Sequence, residues 1–177
     1  NEKIQWLKLY DRNPEYHAMA DKYAVRTYIG RVLGEKYLIP LLGVWQKAED
    51  IDFKSLPDQF VLKCTHDSQS IVICHDKAKR DKEEAVRRLG EALKIDYSVL
   101  GREWAYHGIK PCIVAEELLT DESGDDLKDY KVFCFNGEPK FIQVDYDRFK
   151  GHKRRLYTTD WNLMETKITY PDDADLI

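Results

Sequence analysis

Two lysines stand inside strand-like runs, Lys63 in Phe60-Val61-Leu62-Lys63-Cys64 and Lys131 in Tyr130-Lys131-Val132-Phe133. An ammonium in such a run either meets an anion or snorkels along its apolar neighbours to water. Lys63 is followed by Thr65-His66-Asp67-Ser68-Gln69-Ser70, a polar loop whose backbone N–H groups and hydroxyls, those of Ser68 and Ser70 included, suit a phosphate. The loop is not glycine-rich, and Asp67 and Gln69 occupy positions where close backbone approach to phosphate favours glycine. Glu116-Glu117 closes another apolar run, with Leu118 and Leu119 after it. This pair can hydrogen-bond an adenine amino group and a ribose hydroxyl against an apolar wall, or it is a solvated strand end. Only taken jointly do the two lysines, the loop and the Glu pair make a coherent nucleotide site.

Other clusters have weaker spacing. Arg148, Arg154 and Arg155 either clamp a carboxylate or phosphate by bidentate hydrogen bonds or form a solvated face. Asp145-Tyr146-Asp147 has the D-x-D spacing of a sugar-nucleotide metal site but also reads as the end of a hairpin. Cys64/His66 and Cys74/His75 lack the C-x-x-C and H-x-x-x-H spacings of structural zinc, so no metal ligands are assigned. All four cysteines, Cys64, Cys74, Cys112 and Cys134, fall in apolar or strand-like segments at irregular spacing, which suits reduced core thiols.

The elements that must position these residues follow from periodicity. Lys3 to Tyr10 reads as a short helix ended by the Asp11–Pro14 turn signal. Asp21 caps a helix carrying Ala24, Val25, Tyr28, Ile29, Val32 and Leu33 on one face, after which Tyr37–Pro40 reads as a short extended piece. Phe60–Cys64 and Ile71–Cys74 form a strand–loop–strand unit. Asp81 opens a second helix with Glu84 as its capping box and Ala85, Val86, Leu89, Ala92 and Leu93 as the buried stripe. Cys112 to Glu117 reads as a buried strand. Asn136-Gly137 joins Tyr130–Phe135 to Lys140–Asp145 as an antiparallel hairpin, and Leu156 to Thr158 is a further strand. Lys131 and Phe133 share one face of that hairpin, and Lys63 and Lys131 are expected to serve one polyphosphate.

Composition narrows the class. Charged residues make up 34% and hydrophobic ones 43%, a folded and soluble balance, and 28 Lys plus Arg against 32 Asp plus Glu give a net charge of −4. No global basic field exists to hold a nucleic-acid backbone. The longest apolar runs fall far short of the roughly 20 residues that span a bilayer, and the first residues do not read as a secretory signal, so the expected location is cytoplasmic.

The blocks NEKIQWLKLYDRNP, DKYAVRTYI, EKYLIPLLGVW, LPDQFVLKCTH, IKPCIVAEELL, DLKDYKVFCFNGEPKFIQVD and DWN together resemble the TupA-like, teichuronopeptide-type branch of the ATP-grasp superfamily over nearly the whole chain. The resemblance implies an α+β, ATP-grasp-like fold of two small lobes with mainly antiparallel sheets. It places an N-terminal helical portion at 1–57, a small lobe with the phosphate-type loop at 58–110, and the start of the larger lobe at 111–177. It implies an ATP-dependent carboxylate–amine ligase of bacterial cell-surface polysaccharide biosynthesis, working through an acyl phosphate with ATP and Mg2+. Its substrate would be a small molecule or polysaccharide precursor, and polysaccharide-assembly enzymes its associates. The alternatives are a non-catalytic nucleotide- or glycan-binding module and a glycosyltransferase.

By resemblance Lys63 touches the phosphates, and the loop with His66, Ser68 and Ser70 folds over them. Glu116, Glu117 and Leu119 form the adenine hinge, with Lys131 on the strand that follows; Arg148, read from its residue type as an anion clamp, is taken with Lys63 and Lys131 as a catalytic cation. Family members commonly read HGSG where this chain has His66-Asp67-Ser68-Gln69, so weak ATP affinity is expected. The family's magnesium-binding strands are expected beyond Ile177, which makes the chain a fragment that binds nucleotide without completing a ligation.

Overall fold

The computed structural model describes residues 1–120, 127–147 and 151–171. The fold is α+β, and its contacts divide the chain into two compact units, Asn1–Leu118 and Leu119–Ile177.

In the first unit three helices come first: α1 (Glu2–Tyr10), α2 (Glu15–Ala20) and α3 (Ala24–Val32). Asp21 caps α3 as its position suggests, its Oδ1 accepting from the N–H groups of Tyr23 at 2.8 Å and Ala24 at 3.2 Å. No residue of these helices is fully buried, so the apolar stripe of α3 is only half covered. The extended piece expected at Tyr37–Pro40 instead ends a 3-10 turn, Glu35–Tyr37, and the strand begins after Pro40 as β1 (Leu41–Trp45). A Cβ at Gly43 would run into the indole of Trp45, so any larger residue there would have to displace that ring.

β1, β2 (Phe60–Cys64), β3 (Ile71–Cys74) and β4 (Ile113–Glu117) form one antiparallel sheet in the order β1-β4-β2-β3. β4, expected to open the larger lobe, is therefore the central partner of β1 and β2. Alternation on β2 sends Phe60, Leu62 and Cys64 into a core with Val72, Cys74, Ile113 and Ala115, which α4 (Lys82–Ala92) closes through Ala85 and Leu89. Val61 and Lys63 take the opposite face, on which Glu116 stands across from Val61.

Asp81 caps α4 by accepting the Glu84 N–H at 2.9 Å. The reciprocal half of the expected capping box is not made, because Arg87 holds the Glu84 carboxylate with two hydrogen bonds of 2.7 and 2.8 Å. Asp81→Ala is expected to cost about 1 kcal/mol, the usual worth of an N-cap. Chemical denaturation of the two proteins side by side measures it, and a loss near zero would show that the helix is held by its buried stripe alone. A short helix, α5 (Tyr97–Gly101), follows with Asp96 as its cap.

The second unit is a three-stranded antiparallel sheet in the order β5-β6-β7, with β5 (Asp129–Phe135), β6 (Glu138–Tyr146) and β7 (Lys153–Thr158). The Asn-Gly turn is as expected: Asn136 and Gly137 both take positive φ, 52° and 80°, as a two-residue hairpin demands. Pro139 is tolerated because pairing with β7 begins only at Phe141. Lys131 and Phe133 do share a face, where Phe133 stacks on Phe141 at 4.3 Å. β7 starts three residues before the expected Leu156, so Arg154 and Arg155 lie on opposite faces of a strand rather than in one basic patch. Cys64, Cys74 and Cys112 are buried free thiols, whereas Cys134, expected in the core, is exposed. Among the described residues no helix is long and apolar enough to cross a membrane.

Candidate functional site

β2 holds Lys63 with its ammonium on the sheet face opposite α4, and the anion it meets belongs to the protein. Lys63 Nζ lies 2.5 Å from Glu116 Oε2, and Arg26 Nη1 of α3 lies 3.0 Å from Glu116 Oε1. Arg26 also donates to the Ile39 carbonyl at 2.6 Å, so one guanidinium joins α3, the approach to β1 and β4. The Glu116 side chain is only 6% exposed. Its carboxylate thus faces Lys63 and Arg26 rather than solvent.

The β2–β3 loop is closed by its own side chains. Thr65 N–H donates to the Cys112 carbonyl at 2.9 Å. His66 Nε2 is 3.1 Å from the Ile95 carbonyl, which assigns the proton to Nε2, and its buried Nδ1 has no partner. Ser68 Oγ is hydrogen-bonded to the Tyr97 hydroxyl. Asp67 Oδ1 accepts from Ser70 Oγ at 2.6 Å and from Ser70 N–H at 3.3 Å, while Ser70 Oγ accepts from Cys64 N–H at 3.1 Å.

Lys22, just before α3, grips the same loop. Its ammonium donates to the carbonyls of Cys64, at 2.8 Å, and Asp67, and lies 3.8 Å from Asp67 Oδ1. Burial lowers the pKa of Lys22, with Asp67 opposing the shift. Burial also pushes the Cys64 thiol up to about 11, so it is a core thiol and not a nucleophile. Asp67 and Ser70 line a cavity of about 260 Å3, which Val72, Leu89 and Tyr97 also wall.

Glu117 follows Glu116 on the strand and so turns to the other face, where with Leu118, Asp58 and His75 it borders a wide depression at the end of the sheet. Its N–H is bonded to the Pro40 carbonyl at 3.1 Å. Leu119 and Lys131 belong to the second unit, and Arg148 lies outside the described residues.

In the second unit the sequence reading missed the centre of the charge cluster. Asp145 is fully buried, and Arg154 chelates it through Nε at 2.6 Å and Nη2 at 3.0 Å. Lys131 Nζ is 2.8 Å away, Gln143 Nε2 2.9 Å and His152 Nε2 3.3 Å. Burial alone would raise the Asp145 carboxyl, but the hydrogen bonds from Arg154, Lys131 and Gln143, with the His152 ring close by, outweigh it and hold the group well below the usual carboxylate range. The pairing in turn raises Lys131. Tyr170 stacks on His152 at 3.8 Å and lies under Arg154 at 4.7 Å. Asp145 is thus a buried counter-ion, neither an open hairpin end nor a metal ligand, and Arg154 is committed to it. The sequence signal was cross-strand: Asp145 pairs in register with Arg154.

Among the described residues, no group of three or more His, Cys, Asp or Glu side chains could hold a metal ion.

Set against known proteins, residues 2–177 match the family described as TupA-like ATPgrasp. No curated protein and no solved structure matches the chain.

Proposed function

Because the chain belongs to the TupA-like ATP-grasp family, whose role is that of a generic ATP-grasp ligase, we propose that Lys63 is its contact with the phosphates of ATP and that the β2–β3 loop borders them. The observation that carries this is a strand-borne ammonium two residues before that loop and beside β4, the strand that ends in Glu117 and leads into Leu118. Glu116 keeps Lys63 extended along the sheet face, so a phosphate that recruits Lys63 exchanges one anion for another. Backbone groups at Glu117–Leu119 are the proposed adenine edge. Lys131 and Arg148 are the further proposed catalytic cations.

The proposed reaction of the whole protein is ligation of a carboxylate to an amine in cell-surface polysaccharide biosynthesis. A carboxylate oxygen attacks the γ-phosphorus and the bond to ADP breaks. The amine nitrogen then attacks the acyl carbon, phosphate leaves, and the amine loses a proton. Cationic stabilisation and positioning by protein groups carry such steps. ATP-grasp proteins generally use ATP with Mg2+; among the described residues no group of three or more His, Cys, Asp or Glu side chains gathers, and no step is routed through the ion.

Calorimetric titration with ATP and Mg2+, against GTP and UDP-sugars, tests the reading. ATP is expected to bind selectively, and Lys63→Ala to weaken it by about ten- to a hundredfold, the worth of one charge-assisted contact. A preference for UDP-sugars would overturn the reading in favour of a glycosyltransferase. A second reading, a nucleotide- or glycan-binding module without turnover, is favoured by one observation: the loop that should cover phosphate is bonded to itself through Asp67.

A further inference from the structure

A phosphate bound at a short loop is held by backbone N–H groups, a hydroxyl and a lysine ammonium. In the β2–β3 loop these three kinds of donor already converge on one anion. Ser70 N–H and Ser70 Oγ both reach Asp67 Oδ1, at 3.3 and 2.6 Å, and Lys22 Nζ faces the same oxygen at 3.8 Å. Asp67 is 8% exposed, so its carboxylate is desolvated enough to need such partners. Of these groups Asp67 and Ser70 line the cavity of about 260 Å3, room for several waters or a small oxyanion, with Arg88 and Glu91 also on its wall. Lys22 is no accident of the surface, since its ammonium is bonded to the Cys64 and Asp67 carbonyls and its N–H to the Thr65 carbonyl.

We propose that the β2–β3 loop is an oxyanion receptor whose occupant is the protein's own Asp67 carboxylate, so that a phosphate group enters only when Asp67 leaves. Asp67 is thereby an autoinhibitory ligand, and Lys22 and Ser70 are binding residues. The proposal rests on the reading of the loop as a phosphate-bordering element but concerns different residues from Lys63. It accounts for an acidic residue in a loop meant for phosphate: the carboxylate supplies the negative charge that the donors require while no ligand is present.

The test is titration of the full chain with inorganic phosphate, followed by calorimetry or by phosphorus NMR line width. Asp67→Ala is expected to bind phosphate at least about tenfold more tightly than the unaltered protein, the order of one charge-assisted contact vacated. Adding Ser70→Ala or Lys22→Met to it should cancel the gain. Asp67→Asn keeps the acceptor for Ser70 without the charge and should gain less, and it serves if Asp67→Ala does not fold. Unchanged phosphate affinity in a folded variant overturns the proposal, and so does loss of the fold in both, which would make Asp67 a strut.

The family reading fails independently. A gain in phosphate affinity with ATP binding indifferent to Lys63→Ala keeps the receptor and sinks the ligase assignment. ATP binding that depends on Lys63 while phosphate ignores Asp67 does the reverse.

Discussion

Asp145→Ala is expected to unfold the three-stranded unit. The carboxylate is 1% exposed and answers Arg154 and Lys131, so its removal strands cations at a buried position. Breaking a buried pair from one side costs about 3–5 kcal/mol. Arg154, at 14% exposed, carries most of that cost, because Lys131 is 45% exposed and water screens it. A unit of this size has only a few kcal/mol of stability to lose, at roughly 0.05–0.15 kcal/mol per residue.

The pH dependence has a definite sign. The folded carboxyl is depressed below its unfolded value of about 3.9, so its contribution is complete above about pH 5 and is lost as pH falls toward the native value. Hydrogen exchange of β6 peptides reads both effects. Fast exchange throughout β6 in Asp145→Ala, and progressive loss of protection in the native protein below about pH 4, are the expected results. Unchanged β6 protection in the variant would show that the hairpin stands on its apolar contacts, Ile142 and Val144 among them.

Asp145 also marks where sequence reasoning ends. β2, β3, α4 and the Asn-Gly hairpin were legible because each carries its own signal: alternation over five residues in β2, a 3.6-residue stripe after Asp81, and a dipeptide that accepts two positive φ angles. α2, β1 and α5 were not, since each is five or six residues long and is formed by what it packs against. Lys63 was visible as a strand lysine that either meets an anion or snorkels, and the structure gives it a carboxylate. Its partner was not visible, because Glu116 lies on another strand and Arg26, which shares that carboxylate, is 90 residues away from it in sequence. Period-2 alternation gives the face a side chain takes, but only the register of β2 on β4 says who meets it there. Asp67 shows the same limit from the other side. As a residue type in a phosphate loop it reads as repulsion, and only the positions of Ser70 and Lys22 turn it into a satisfied ligand.

Glu116→Ala is expected to cost the first unit about 3–5 kcal/mol, since Lys63 and Arg26, 23% and 15% exposed, would face each other across the vacancy. Lys63→Met should cost much less, because Arg26 still neutralises Glu116 and the methionine covers the same apolar strand face. The double variant Glu116→Gln with Lys63→Met should then lose less than the sum of its two singles by about 0.5–3 kcal/mol, the coupling expected of groups in direct contact. Denaturant unfolding of the four proteins closes the cycle. Additive losses would show that the 2.5 Å pair contributes nothing to folding and that Arg26 alone holds Glu116.

The cycle bears on function because the same carboxylate that stabilises the sheet face competes with any phosphate for Lys63. If coupling is measured, relief of that competition in Glu116→Gln should make ATP bind more tightly where the variant remains folded, while Lys63→Met binds it more weakly. One pair then sets both quantities: the ion pair that completes the apo sheet face is broken by the ligand the lysine is proposed to serve, so stability gained at Glu116 is affinity lost at Lys63.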